Sequence, residues 1–342
     1  MIDKIRLINF RNFKDIRLNT GNNLVILLGR NAVGKTSVLE AIYYLCTTKS
    51  HRTSNYLNLI NYDSNYAKII MSYNKSIYEV VINKNKKTCL INNKEINRLA
   101  FIGQVKIILF TPYDLNLVNG PKEEKRKFLD LNISLFDNKY LGYLLNYKKL
   151  LKKRNEVLKA KKTDYALLKV LTSSIKPYTL YINEARTRFI NNLNKYLGKI
   201  CLDLQVDSIS LAPSISSFSY EENLKKDLFY KTTTSGPHRD GFSINIGEKD
   251  LKTFGSQGQI KLGVIALKLS LYEIMKENSK PILLLDDIFA ELDSEKQIKL
   301  VNYLNNYQTF ITTTSLAEIP SELLKKALII ELGKDDVNGR GN

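Results

Sequence analysis

The chain has 342 residues, 44% hydrophobic and 25% charged, with 52 Lys and Arg against 34 Asp and Glu for a net charge of +18. That length suggests about two domains with a core large enough to need no staples, and the composition excludes collagenous and disordered classes. The three scattered cysteines, Cys46, Cys89 and Cys201, form no disulfide framework, and no apolar run reaches a membrane span, so a secreted or membrane-spanning protein is excluded and a cytoplasmic one expected.

The opening MIDKIRLINF reads as a charged amphipathic strand, not a signal peptide, and NNLVILLG as a second strand beyond the Asn19 to Asn23 turn. A helix is predicted over TSVLEAIYYLC, with Val38, Ile42 and Leu45 on one face. Short strand-like runs follow between residues 66 and 110: YAKIIMSY, SIYEVVIN, TCLINN and QVKIILF. From Gly120–Pro121 to about residue 205 the signals are helical. Leu144, Tyr147, Leu151 and Leu158 form one stripe, and Ile182, Ala185, Phe189, Leu193, Tyr196 and Ile200 another, both read as core packing.

After residue 235 an α/β texture returns. A helix follows Ser256 with Ile260, Val264, Leu267 and Leu271 on its apolar face, then a buried strand PILLLDD. A helix over DSEKQIKLVNYLNN, the strands TFITTT and ALIIEL and a disordered tail complete the chain. A helical block is thus inserted into an α/β domain built from both ends of the sequence. The expected division is an α/β domain over 1–118 and 230–342 with a helical lobe over 119–229.

The strongest motif is Gly29-Arg30-Asn31-Ala32-Val33-Gly34-Lys35-Thr36, which fits G-x-x-x-x-G-K-[ST] between a strand and a helix, with Ser37 following. Glycines let backbone wrap a phosphate, successive N–H groups face the anion, and the helix start adds partial positive charge. Lys35 is expected at the β- and γ-phosphates of ATP, and Thr36 on Mg²⁺. The run Ile282 to Asp287 is an apolar strand ending in two acids. Asp286 is assigned to Mg²⁺ and Asp287 to the attacking water. Lys35 and Asp286 are separated by well over half of the chain, an insertion that points to ATPases of the ABC and SMC class.

Three weaker segments follow the order of that class. Phe254-Gly255-Ser256-Gln257-Gly258-Gln259 opens a helix and makes a second anion-binding end, with Ser256, Gly258 and Gln259 assigned to the γ-phosphate held by a second subunit. Glu291-Leu292-Asp293 fits the D-loop. Arg11 and Asn12, after the first strand, place a cation and an amide beside the nucleotide.

Together NFRN, GRNAVGKTS, SHRT, FTPYDLNLVNG, KRKFLDLNI, YKKLLKKRNEVL, SGPHRDGF, FGSQGQIK and LLLDDIFAELD resemble the RecF family of the SMC/ABC superfamily. The phosphate loop departs from it at Arg30, Ala32 and Val33, and Thr314 stands where transporter ATPases carry a histidine. The resemblance implies an ABC/SMC-type P-loop ATPase head with an inserted mainly helical lobe. It also implies slow ATP hydrolysis and an ATP-dependent homodimer on DNA at single-strand gaps and duplex junctions. The role implied is recombinase loading with RecO and RecR, with links to replication and the SOS response.

DNA phosphate contacts are expected from the run Lys148 to Arg154. His238 and Arg239 read either as a nucleotide-side cation or as an interface salt bridge with Asp240. His51 and Arg52 read as structural or as DNA contacts. Two rival readings are a chromosome-organising SMC-like protein, which needs long coiled coils, and a transporter ATPase subunit, which the SGPHRD motif and the +18 charge oppose.

Overall fold

The computed structural model describes residues 1–215, 220–277, 279–289, 295–297, 299–300 and 307–333. The D-loop segment Glu291-Leu292-Asp293 and the tail lie outside the described residues. The chain divides into two compact units, Met1–Asp114 with Leu271–Asn342, and Leu115–Ser270. The sequence puts the return from the helical lobe at residue 230. The compact unit runs on to Ser270 because the strand following SGPHRD pairs with one that follows the long helices.

The first unit holds two sheets. Strands β1 (Ile2–Phe10), β2 (Phe13–Asn19), β4 (Tyr66–Tyr73), β5 (Ser76–Asn83), β6 (Lys87–Ile91) and β7 (Lys94–Ile96) make an antiparallel sheet in the order β2-β1-β4-β5-β6-β7. Alternation drives it: in β1, Ile2, Ile5, Leu7 and Phe10 are buried while the residues between them are partly or fully exposed. Its hairpins at Asn74–Lys75 and Asn92–Asn93 have positive φ at both turn positions, which a type I′ turn requires. Asparagine tolerates that geometry at low cost.

The second sheet is parallel, ordered β14-β3-β13-β12-β8, from β14 (Leu328–Glu331), β3 (Leu24–Leu28), β13 (Thr309–Thr313), β12 (Ile282–Asp286) and β8 (Ile107–Phe110). Its central strands read LVILL, TFITT and ILLLD and are buried almost throughout, as strands covered on both faces must be. Helix α1 (Lys35–Thr47) leaves the carboxyl end of β3, and short helix α2 (Arg98–Phe101) precedes β8. Strand β13 lies between β3 and β12, so the phosphate loop and the two acids sit at the carboxyl ends of strands with one strand between them. Ligand sites of open α/β sheets form at such ends.

The second unit is mainly helical. It contains α3 (Asn116–Asn119), α4 (Lys122–Phe136), α5 (Asn138–Lys159), α6 (Tyr165–Leu204), α7 (Leu224–Tyr230), α8 (Leu251–Phe254) and the start of α9 (Gln257–Lys276). Strands β9 (Ile209–Ser214), β10 (Gly241–Ile246) and β11 (Lys249–Asp250) form a small antiparallel sheet. The stripe predicted on α6 is buried at Ile182, Ala185, Phe189, Leu193 and Ile200, with Leu197 in the core where Tyr196 was expected. Asn194 continues the ladder from the helix side: its amide donates to Leu211 O at 2.8 Å, and its Oδ1 accepts from Leu211 N at 2.9 Å.

Two buried arginine–aspartate pairs hold this unit. Arg186 on α6 meets Asp130 on α4 at 2.7 Å, with its Nη1 on Pro237 O at 2.7 Å. Arg154 on α5 meets Asp227 on α7 at 2.8 Å, and both side chains are fully buried. That corrects the assignment of Arg154 to DNA: its Nη1 also donates to Thr233 at 2.6 Å and its Nε to Thr172 at 3.1 Å. Every third or fourth position of α5 faces inward, and Arg154 falls on the stripe of Tyr147 and Leu158. Among the described residues no helix is long and apolar enough to cross a membrane.

Candidate nucleotide site

The loop from Gly29 to Lys35 is shaped by two glycines. Gly34 has φ +111°, and a Cβ there would come within 2.4 Å of the Phe13 ring and 2.9 Å of Asn12 Nδ2. A Cβ on Gly29 would meet Leu332 O and Val33 Cγ2, each at 2.8 Å. Arg30, Asn31 and Ala32 are exposed at the crest, with Ala32 at φ 67°. Helix α1 starts at Gly34 with no side-chain cap and no acid in its first turn. Its leading N–H groups therefore face the loop cavity unclaimed by side chains, the condition for binding an anion.

Lys35 is buried and donates to Gly29 O at 2.7 Å and Arg30 O at 3.1 Å. The ammonium is thus parked on the carbonyls of its own loop. Asn12 reaches the same loop, donating to Val33 O at 3.1 Å. Ser37, next along, is buried in the first turn of α1.

Thr36 Oγ1 donates to Asp286 Oδ1 at 3.0 Å, which joins the loop to the acid strand. A hydroxyl and a carboxylate oxygen at that spacing are a donor set that fits a hard divalent cation such as Mg²⁺. Asp286 has a second partner that sequence reasoning missed. Thr312, its cross-strand neighbour on β13, donates to Asp286 Oδ1 at 2.8 Å and accepts from Asp287 N at 3.0 Å. Burial pushes the Asp286 carboxyl above its ordinary range against the hydrogen bonds from Thr312 and Thr36. The neighbouring Asp287 adds to the rise, and Arg52 opposes it. Asp287 itself has φ 50°, a left-handed backbone that turns the chain sharply after β12.

Arg11 is placed differently from Asn12. It sits at φ 55° in the turn between β1 and β2, and its guanidinium forks onto Glu40 of α1, with Nε at 2.9 Å and Nη2 at 2.6 Å. Glu40 is fully buried and also accepts from Ser50 and, at 3.4 Å, from Arg52. Burial would raise the Glu40 carboxyl, but the hydrogen bonds of Arg11 and Ser50 outweigh it and hold the group below its usual value. The SHRT segment is therefore fastened to the phosphate-loop helix, and Arg52 acts within range of Asp286. His51 packs edge-on against Tyr43, ring centroids 5.5 Å apart.

Ser256, Gly258 and Gln259 belong to the unit Leu115–Ser270. There they make a reciprocal cap on α9: Ser256 N donates to Gln259 Oε1 at 2.8 Å, and Gln259 N to Ser256 Oγ at 3.2 Å. Ser256 and Gly258 are exposed. Gly255 turns the chain where a Cβ would strike Leu251 O at 2.5 Å. His238 is held in the same unit: Nδ1 lies 2.6 Å from Tyr147 Oη and Nε2 2.9 Å from Thr233 O. Arg239 beside it is exposed.

Thr312 and Glu40 were not singled out from the sequence, and Arg52, read there as structural or as a DNA contact, was not placed at the nucleotide site. A faint signal exists for two of them: a threonine at the carboxyl end of a fully buried strand, and one acid inside the apolar run SVLEAIYYLC.

Residues 1–330 match the family model described as RecF/RecN/SMC N terminal domain. The chain is 39% identical over 326 residues to the DNA replication and repair protein RecF of Acholeplasma laidlawii, covering 92% of this chain and 93% of that protein. It is 36% identical to the Streptococcus pneumoniae protein of the same name, covering 99% of both. A solved structure of the recombination mediator protein RecF-ATPrS in the RecFOR pathway superposes with a TM-score of 0.87 at 28% identity, over 94% of each chain. The Smc head domain of Pyrococcus furiosus shares the fold at a TM-score of 0.56 and 16% identity.

Proposed function

We propose that this chain, which belongs to the RecF family of the SMC/ABC superfamily, is an ATP-operated DNA-binding protein of recombinational repair. The observation that carries this reading is the 3.0 Å bond from Thr36 to Asp286 beside an uncapped helix start. Phosphate-loop and acid-strand groups stand within hydrogen-bond reach of one another, the pairing that a nucleotide with Mg²⁺ requires.

Lys35, whose ammonium lies at the carbonyls of Gly29 and Arg30, would reach the β- and γ-phosphates, charged acceptors that hold it more strongly than neutral ones. Residues Gly29 to Ser37 cradle the triphosphate with backbone N–H groups, and Asn12 steadies the loop. Thr36 and Asp286 would hold Mg²⁺, which when bound offsets phosphate charge. Thr312 keeps Asp286 aimed at that position. Asp287, turned by its left-handed backbone, is assigned to the attacking water. Hydrolysis is slow and serves as a release step.

Ser256, Gly258 and Gln259 of a second copy close over the γ-phosphate, so ATP binds the pair better than the separated chains and drives association. The functional domains are those the sequence marks, 1–118 with 230–342 as the ATPase and 119–229 as the helical lobe. The pair grips duplex DNA next to single-strand gaps through lysine contacts to phosphate. RecO and RecR are its partners in recombinase loading, in the cytoplasm, with links to replication and the SOS response. A chromosome-organising role needs far longer helices than the 40 residues of α6.

Sedimentation with ATP and gel shifts on gapped DNA test the reading. Wild type should dimerise and shift the DNA only with ATP, and binding should fall steeply between about 50 and 200 mM salt. Lys35→Met should abolish both. ATP-driven dimers in that variant, or salt-indifferent binding, would refute the mechanism.

A further inference from the structure

We propose that the outer face of α7 is a stacking platform for single-stranded nucleic acid. The helix is amphipathic in an unusual sense. Its inner face is Leu224, Asp227 and Leu228, partly or fully buried. Its outer face carries Lys225 and Lys226, each one turn before an aromatic ring, at Phe229 and Tyr230. Phe229 is 79% exposed and Tyr230 59%. Their rings meet edge to face, centroids 5.0 Å apart and perpendicular. That arrangement leaves flat ring surface open to solvent, where an apolar group gains nothing until something covers it.

The platform is rigidly mounted. The Asp227 carboxylate accepts from Arg154 Nη1 at 2.8 Å, Thr234 N at 2.8 Å and Thr234 Oγ1 at 2.6 Å. Thr232 N closes the end of the helix on Asp227 O, and Lys231 at φ 52° caps it. Arg154 also lies over the Tyr220 ring, 5.0 Å from its centroid. A buried ion pair therefore fixes a helix too short to be stable alone, with its rings pointing outward.

Charge selects the occupant. Lys225, Lys226 and Lys231 on this segment, and Lys152 and Lys153 just before Arg154 on α5, are exposed, and among the described residues none of them is in an ion pair. Two acids precede the helix, Glu221 and Glu222; Glu221 pairs with Lys176 at 3.9 Å, and lysines still outnumber acids on the segment's exposed surface. Exposed rings interleaved with free cations match a single strand, whose unpaired bases stack on aromatics while its phosphates meet lysines. A duplex offers phosphates but keeps its bases stacked away from the rings. This inference rests on the reading that the chain binds DNA and adds a separate contact for the unpaired strand at a junction.

The chain has no tryptophan, so Phe229→Trp introduces a single fluorescent reporter on the platform. Full-length protein with ATP is titrated with oligothymidylate and with a blunt duplex, followed by emission and by anisotropy of the labelled DNA. The expected result is saturable quenching by oligothymidylate and none by the duplex. The pair Phe229→Ala with Tyr230→Ala should weaken oligothymidylate binding at least about 10-fold and leave duplex binding and ATP-driven dimerisation unchanged. Phe229→Tyr should retain binding. If wild type binds neither DNA, the parent reading fails and the platform with it. If wild type binds oligothymidylate but the reporter is silent and the alanine pair binds as tightly, the platform alone is overturned.

Discussion

Thr312 Oγ1 lies 2.8 Å from Asp286 Oδ1, across a pair of parallel strands in which the two residues stand in register. The same oxygen accepts the Asp287 backbone N–H at 3.0 Å, so one hydroxyl orients the Asp286 carboxylate and anchors the backbone of Asp287. Thr36 reaches Asp286 from the other side. The acid is thus aimed by two threonines from two different elements.

Thr312→Val keeps the shape and removes the hydroxyl. It should cost about 1 kcal/mol, because the half-buried Asp287 N–H loses its acceptor. It should also raise the Mg²⁺ concentration needed for ATP-driven dimerisation, while Thr312→Ser restores both. Thermal unfolding and a Mg²⁺ titration by sedimentation check this. A stability loss with unchanged Mg²⁺ dependence would reduce Thr312 to a structural residue.

Asp286→Asn should stabilise the nucleotide-free protein at neutral pH and abolish the ATP response. The reason is the sign of the shift. Burial raises the folded-state value, so the folded protein holds that proton more readily than the unfolded chain, and the ionised form costs stability at higher pH. The cost is relieved as pH falls through the raised value. An amide removes the charge and keeps an acceptor for the two threonines. Paired melting curves with and without Mg²⁺ and ATP read both effects.

Glu40 behaves oppositely. Its folded value is depressed, so it stabilises the fold above the ordinary glutamate value of about 4.3, and that contribution is lost as pH falls through the depressed value. Arg11→Ala leaves a fully buried carboxylate supported by Ser50 and Arg52 alone. The expected loss is about 3 kcal/mol, the low end for breaking a buried pair. Arg11→Ala with Glu40→Gln should recover most of it in a denaturant double-mutant cycle.

Arg154 and Lys153 are neighbours in sequence with separate fates. Arg154→Lys should lose at least about 3 kcal/mol of stability, because an ammonium cannot reproduce the contacts to Asp227, Thr233 and Thr172. Wherever the variant folds, its DNA-binding salt slope should match wild type. Lys153→Ala should leave stability alone and reduce that slope by about 1. Equal slopes in both variants would remove Lys153 from the DNA contacts.

Local pattern made the phosphate loop legible, because G-x-x-x-x-G-K-T needs only its flanking strand and helix to work. Asp286 was legible for a similar reason: a run of buried apolar residues ending in acids marks the carboxyl end of a parallel strand. The long helices announced themselves through periodic apolar stripes. All of these signals come from residues close together in the chain.

What only the tertiary structure decided depends on contacts between distant segments. Strand order put β13 between β3 and β12, and that placement turns Thr312 into a partner of Asp286. Folding set Arg11 on Glu40, took Arg154 out of a basic run into a buried ion pair, and left Phe229 and Tyr230 outside the core. A charged or aromatic residue carries the same letters whether solvent or a partner dozens of residues away satisfies it. Burial is a property of the assembled chain, and so it decided which cations are free to meet an anion.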